Sequence, residues 1–323
     1  MANKPRIAFY WCSSCGGCEE AVVDLAEDLL DVASRVEIVL WPVAMDFKKS
    51  DVKAMEDRSI DATFINGAVR LSEQEEWVHL LRKKSKLVIA FGACAHLGGI
   101  PGLANFCNRD KVFKTVYHEL PSMENPDEKE PLRRVTVDGA PLELPEFFDR
   151  VRTVSQVVEV DYTLPGCPPP TDLILVALRS LLEGTLPPRG SILAPDKALC
   201  ETCPRKESKP ESMAIDRIKR VGTSQPDPVL CFLADGFVCL GPATRSGCGE
   251  TCIRGNMPCR GCFGPPPGQK DQGASFLGAL GTLLSAGGCD EAEGLVQALP
   301  DPAGTLYRYA LPASLLRGRR EKP

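Results

Sequence analysis

Residues 6–20 read RIAFYWCSSCGGCEE, and the order of textures in this stretch decides the fold. An apolar, aromatic-rich run, Arg6–Trp11, has the composition of a buried strand, and the glycine- and cysteine-bearing turn after it opens onto Gly17–Ala33, where apolar residues recur at helical spacing. The alternation continues outward from there. Val36–Trp41 (VEIVLW), Ala62–Ile65 (ATFI), Leu87–Phe91 (LVIAF) and Val157–Val160 (VVEV) read as further strands, and Leu71–Lys84 and Pro170–Leu182 as helices. Ser72 is placed as an N-cap, with Glu75 as its capping-box partner three residues on.

Strand–helix alternation of this kind builds an α/β domain with a five-stranded, flavodoxin-like parallel sheet, expected over residues 1–185. Between Gly98 and Gln156 the chain is too long for a simple connection, and its charged, proline-bearing middle (SMENPDEKEPLRR) reads as an excursion onto the surface. Past Glu183 the texture changes to few apolar runs and many Gly and Pro, with eight cysteines between Cys200 and Cys262. Residues 186–270 are expected to form a smaller, irregular iron–sulfur cluster domain whose folding leans on metal ligation. Residues 271–323 are expected to supply a small helix (SFLGALGTLLSA) and a tail ending RGRREKP that docks on a partner or stays mobile.

At 323 residues, 43% hydrophobic and 25% charged, the chain has enough apolar surface for a proper core. A net charge of -5 leaves no basic face for nucleic acid. The opening MANKPRIAFYW lacks an apolar signal core, and the longest uncharged stretch, Gln272–Cys289, is too rich in Gly and Ser to span a membrane. The expected location is the cytoplasm, where fifteen cysteines argue for metal ligation over disulfides.

Twelve of those fifteen cysteines fall into three sets of four. Cys15 and Cys18 follow the first strand, Cys94 the fourth and Cys167 the fifth, so four thiols converge on the rim outside the carboxyl ends of a parallel sheet, where such folds bind ligands. Gly16, Gly17, Gly92 and Gly166 supply the tight turns such a site needs, and amides at the start of the first helix would face cluster sulfur. The remaining eight are Cys200, Cys203, Cys231, Cys239, Cys248, Cys252, Cys259 and Cys262. All-thiol sets with only three histidines in the chain suit iron–sulfur clusters or structural zinc, and C-x-x-C is common to both. By spacing alone, Cys239 and Cys248 are interchangeable between the last two sets.

CSSCGGCEE with Glu20, GACA at Gly92–Ala95 and PGCPPP at Pro165–Pro170 together resemble the small subunit of nickel–iron hydrogenases, and the likeness extends to about residue 270. The resemblance implies three [4Fe–4S] clusters. The proximal one would be held by Cys15, Cys18, Cys94 and Cys167; the medial by Cys248, Cys252, Cys259 and Cys262; and the distal by Cys200, Cys203, Cys231 and Cys239. Cys200 stands where many members have histidine, and Cys252 where many lack a cysteine, which implies all-cysteine ligation throughout. The related quinone oxidoreductase subunit of respiratory complex I shares the fold, but it has adjacent cysteines in place of C-x-x-C and no C-terminal cysteine domain.

The type most resembled is the cytoplasmic, methyl-viologen-reducing, F420-non-reducing one. That implies an electron-transfer subunit without catalytic residues of its own, partnered by a large subunit holding the nickel–iron centre. Its electrons would go to a small iron–sulfur subunit and on to heterodisulfide reductase. The F420-reducing type is the near alternative, and a zinc-stapled interaction protein is the alternative from another class. Cys12 is expected to be a spare thiol or one lying just behind the ligands, and Cys107 and Cys289 non-ligands. His79 is read as solvent-facing or partly packed, and His118 carries no motif. His96 faces either a cluster sulfur, a partner or plain packing; Glu20 is a possible proton carrier; and Arg82–Lys86 is read as the solvated end of a helix.

Overall fold

The computed structural model of the chain describes residues 4–284, 289–299 and 301–317. Its first part runs β1 (Arg6–Trp11), α1 (Gly17–Val23), α2 (Glu27–Arg35), β2 (Glu37–Leu40), α3 (Lys49–Ala54), β3 (Ile60–Asn66), β4 (Val69–Leu71), α4 (Ser72–Lys84), β5 (Ser85–Phe91), α5 (Gly92–Leu97), α6 (Arg109–Lys114), β6 (Arg134–Val137), β7 (Ala140–Glu143), β8 (Phe147–Arg152), β9 (Tyr162–Leu164) and α7 (Thr171–Glu183). Five strands pair in parallel in the order β2-β1-β3-β5-β9, the flavodoxin-like arrangement.

Because side chains alternate across a strand, the sheet has two buried faces. Ile7, Phe9, Phe64, Phe91 and Leu164 meet Ala21 and Val22 of α1 and Ile174 and Leu178 of α7 on one side. Ala8, Tyr10, Ile65, Val88 and Ala90 meet Val52 of α3 and Trp77, Val78 and Leu81 of α4 on the other. A row of rings crosses the first face: Phe9 lies 4.8 Å from Trp41 and 5.1 Å from Phe64, which is 5.9 Å from Phe91.

Four local expectations need correction. The fifth strand is not Val157–Val160: Thr153 caps a 3-10 turn at Val154–Gln156, Val158 is spent on core packing, and the ladder begins only where Asp161 N donates to Val88 O at 2.8 Å. The first helix is broken after Val23, with Ala26 at φ 51°, before α2 resumes. Ser72 is the first residue of α4 rather than its cap. Gln74 Oε1 accepts from Arg70 N and Leu71 N at 2.9 and 3.0 Å, the Ser72 hydroxyl accepts from Glu146 N, and Glu75 pairs with Arg152 at 2.9 Å. Nor is Arg82–Lys86 simply solvated, since Arg82 bonds buried Asp161 and Lys84 is buried against Asp57.

The excursion contains the β6–β7 hairpin, turned by Asp138 and Gly139 at positive φ, and returns through β8, which pairs antiparallel with β4. Its hairpin strands are fully exposed.

After α7 come α8 (Leu199–Thr202), α9 (Thr251–Arg254), α10 (Gln272–Leu283), α11 (Cys289–Ala298) and α12 (Pro302–Leu306). One apolar cluster joins the cysteine-rich stretch to the residues beyond it: Leu199, Phe232, Phe237, Leu240 and Ile253 pack with Phe276, Leu280, Leu306, Tyr307 and Leu311. Asp271 caps α10 through Ala274 N and also accepts from Leu315 N, both at 2.9 Å. The tail beyond residue 317 and the Cys289 side chain lie outside the described residues. Among those described, no helix is long and apolar enough to cross a membrane.

Candidate metal centres

At the carboxyl end of β1 the chain enters a left-handed turn at Gly16 (φ 86°) and starts α1, which sets Cys15 on the surface and Cys18 in the interior. Cys94 lies in the first turn of α5, after Gly92 at φ 87°; a Cβ at Gly92 would collide with the Cys18 sulfur, and one at Gly99 with the Cys94 sulfur. Ala93 N donates to Gly166 O at 2.6 Å, which ties the Cys94 helix to the turn carrying Cys167, and the Cys167–Pro168 peptide is cis. Cys18 thus lies within electrostatic reach of Cys94, Cys167 and Cys15. Cys15 and Cys167 are exposed at the sheet rim, where the exposed Trp11 ring lies against Gly16.

Cys200 lies within reach of Cys239, Cys203 and Cys231, and these four sulfurs line one cavity with Phe232 and Leu233. Gly241 borders it: a Cβ there would lie 3.2 Å from the Cys200 sulfur and 3.6 Å from that of Cys239. Cys262 lies within reach of Cys167, Cys248 and Cys252, and Cys259 within reach of Cys239 and Cys262. Cys239 thus neighbours both Cys200 and Cys259, while Cys248 neighbours Cys252 and Cys262.

The three sets lie in series. The Cys167 amide lies near the Cys262 sulfur, and the Cys259 amide donates to the Cys239 sulfur at 3.3 Å. Other amides point at sulfur as well: Gly17 N at 3.5 Å from Cys15, Arg205 N at 3.4 Å from Cys203, Ile100 N toward Cys94 and Glu250 N toward Cys248. Such donors stabilise charge on sulfur.

Burial pushes the Cys94 thiol up to about 12, with Cys167 and Cys15 adding to the rise. Burial likewise takes Cys200 and Cys262 to about 12 and Cys239 to about 11, where the amides of Gly241 and Cys259 oppose it. Burial disfavours the thiolate form, and a bound cation that takes the place of the protons is what would make such clustered thiols a ligand set. Among the described residues, however, no three His, Cys, Asp or Glu side chains converge closely enough for a single metal ion. A tetrahedral zinc site would require sulfurs about 3.8 Å apart, from Zn–S bonds of about 2.3 Å. The all-thiol donor chemistry fits iron–sulfur groups.

The other residues singled out from the sequence lie as follows. Cys12 is buried in the core, its amide bonded to Asn66 O at 2.8 Å. Cys107 is half-buried and His79 exposed, while His118 pairs with Glu130 at 2.8 Å. His96 packs against Gly264 at the seam between the two parts; its Nδ1 has no partner, and burial, then Arg245, push its pKa down to about 4. Glu20 is exposed, whereas its neighbour Glu19 is buried behind Cys18 and accepts from Trp41 Nε1 and from Asn66 Nδ2, the latter at 2.5 Å. Burial raises the Glu19 pKa against those two bonds. Glu19, Asn66 and the amides near sulfur outside the first helix escaped the sequence reading; C-E-E marked two acids without saying which is buried.

Residues 15–181 match the family described as NADH ubiquinone oxidoreductase, 20 Kd subunit, a match that ends before the second group of cysteines begins. The iron–sulfur subunit of the F420-non-reducing hydrogenase of Archaeoglobus profundus is 40% identical over 96% of this chain and 97% of its own length. A subunit of the F420-non-reducing hydrogenase of Methanothermobacter thermautotrophicus is 35% identical over 100% of this chain and 99% of its own. Among solved structures, the [NiFeSe] hydrogenase of Desulfovibrio vulgaris Hildenborough superposes with a TM-score of 0.52 at 18% identity over 83% of this chain and 96% of that one, a likeness of fold. With identity sustained from end to end and the hydrogenase small-subunit fold beneath it, the chain belongs to the family of F420-non-reducing hydrogenase iron–sulfur subunits, the small subunits of nickel–iron enzymes.

Proposed function

We propose that this hydrogenase subunit carries electrons released by hydrogen oxidation in a large subunit, through three [4Fe–4S] clusters, to a further redox partner. Cys15, Cys18, Cys94 and Cys167 would hold the proximal cluster, Cys248, Cys252, Cys259 and Cys262 the medial, and Cys200, Cys203, Cys231 and Cys239 the distal. When bound, these groups supply one-electron redox sites. The protein's own contribution is to hold twelve thiolates in register and aim amides at sulfur.

The observation that carries the reading is the serial arrangement of the sets, with the Cys167 amide near the Cys262 sulfur and the Cys259 amide on the Cys239 sulfur. A structural-zinc module has no use for such a series or for a thiol set at a sheet rim. The exposed edge formed by Cys15, Cys167 and Trp11 is where the large subunit would dock, since a redox site needs a short path to its donor. The relatives' names support the F420-non-reducing type; a small iron–sulfur acceptor subunit and heterodisulfide reductase beyond it are the partners proposed for that type. The fourteen described cysteines are all free thiols, which suits a reducing cytoplasm.

The test is metal analysis and EPR on the anaerobically purified complex. About twelve irons per chain, four for each cluster, and a nickel-bearing partner are expected. Stoichiometric zinc with no partner would overturn the reading.

A further inference from the structure

One buried carboxamide holds both ends of the C-x-x-C turn. Asn66, fully enclosed, is the last residue of β3, and its neighbours across the sheet are Trp11, the last residue of β1, and Phe91, the last of β5. It thus lies between the strand that leads to Cys15 and Cys18 and the strand that leads to Cys94. Its carbonyl accepts from Cys12 N at 2.8 Å. Its Oδ1 accepts from the Ser14 hydroxyl at 3.0 Å, and its Nδ2 donates to Glu19 Oε1 at 2.5 Å and, more distantly, to Tyr10 O at 3.4 Å. The other carboxylate oxygen of Glu19 accepts from Trp41 Nε1. Ser14 immediately precedes Cys15, and Glu19 immediately follows Cys18. A carboxamide suits this place because it accepts on one side and donates on the other.

We infer that Asn66 is a positioning residue of the rim site: by fixing Ser14 and Glu19 it sets where the Cys15 and Cys18 sulfurs stand relative to Cys94 and Cys167. The inference rests on the iron–sulfur reading above. The turn needs a brace from outside, because Gly16 and Gly17 leave its backbone the widest conformational range and Cys15 is exposed, with little packing to hold it. Hydrogen bonds are directional where apolar packing is not, and a buried network with its members satisfied rigidifies what it joins. Groups behind the ligands orient them in metal sites generally. Here that part falls to a strand residue 47 positions along the chain from Glu19.

The experiment is iron analysis and EPR of the assembled, anaerobically purified complex carrying either of two variants. Asn66→Leu keeps the volume and removes both side-chain bonds. Asn66→Asp combined with Glu19→Gln exchanges donor and acceptor: the new amide at position 19 donates to the new carboxylate at position 66, which still accepts from Ser14, while the amide oxygen accepts from Trp41. The rim signal is identified as the one missing from Cys94→Ala. Asn66→Leu is expected to lose that signal together with about four of about twelve irons, the other two signals staying in place, and the exchange variant to regain both. Full iron with an unaltered rim signal in Asn66→Leu overturns the inference, and so does an exchange variant that lacks the rim signal. If Asn66→Leu fails to assemble, the exchange variant decides alone. Wild-type complex without iron would instead sink the underlying functional reading, which keeps the two failures apart.

Discussion

Gly92→Ala and Gly190→Ala form a matched pair. Both glycines have left-handed backbone, φ 87° and φ 88°, so alanine incurs the same backbone cost at each, roughly 1–2 kcal/mol. For a domain of this size that is a loss of a few degrees in Tm. Their surroundings differ. Nothing lies within 4 Å of a Cβ built at Gly190, whereas one at Gly92 overlaps the Cys18 sulfur and has Gly166 O 3.5 Å and Pro169 Cδ 3.7 Å away. The sulfur must leave its place, and with it one corner of the rim set. Gly190→Ala should therefore lower Tm modestly and keep its full iron, while Gly92→Ala should lose about four of about twelve irons, one cluster's worth. Iron analysis with thermal unfolding of both variants decides the matter. Full iron in Gly92→Ala, or equal iron loss in both variants, would refute the argument that the glycine is there to make room for sulfur.

Cys94→Ala and Cys167→Ala should each lower iron content and abolish hydrogen-dependent dye reduction by the assembled complex; unchanged iron would remove the residue from the site. Cys252→Ala should leave the medial set with a three-iron EPR signature, and an undisturbed spectrum would mean that the sets are drawn wrongly. Phe64, 2% exposed and central to the ring row of the sheet, should cost about 3–5 kcal/mol in urea unfolding when cut to alanine. A cost below about 1 kcal/mol would show that the site collapses around the gap.

The parallel sheet was legible because its strands are short apolar runs cut off by Gly-bearing turns, a pattern carried by local composition. Its fifth strand was misplaced because Val157, Val158 and Val160 are as apolar as a strand but serve core packing, while the true strand, Tyr162–Leu164, spans three residues. The capping of α4 failed for a similar reason: the helix starts one residue earlier than the serine suggests, with Gln74 reaching back to the amides of Arg70 and Leu71, while the Ser72 hydroxyl is engaged by Glu146 from 74 residues away. The D-G turn of the excursion's hairpin, by contrast, stood in the sequence to be read. Thiol sets were visible as residue types, but the grouping of Cys239 and Cys248 depends on how the backbone folds between them, as do the amides that aim at sulfur. Glu19 and Asn66 were hidden because their roles arise from long-range contacts.

The second apolar cluster, which reaches from Leu199 to Leu311, has a consequence for biogenesis. A ribosome delivers the N-terminus first, and domains tend to fold as they emerge. The sheet domain has all its strands and its last helix by Glu183. The cavity lined by Cys200, Cys203, Cys231 and Cys239 is walled by a core that lacks Phe276, Leu280, Leu306 and Leu311 until translation has passed those residues. Enclosure of that cavity therefore waits for Leu311, and a product terminated before it would be left with open thiols that no scaffold has yet enclosed.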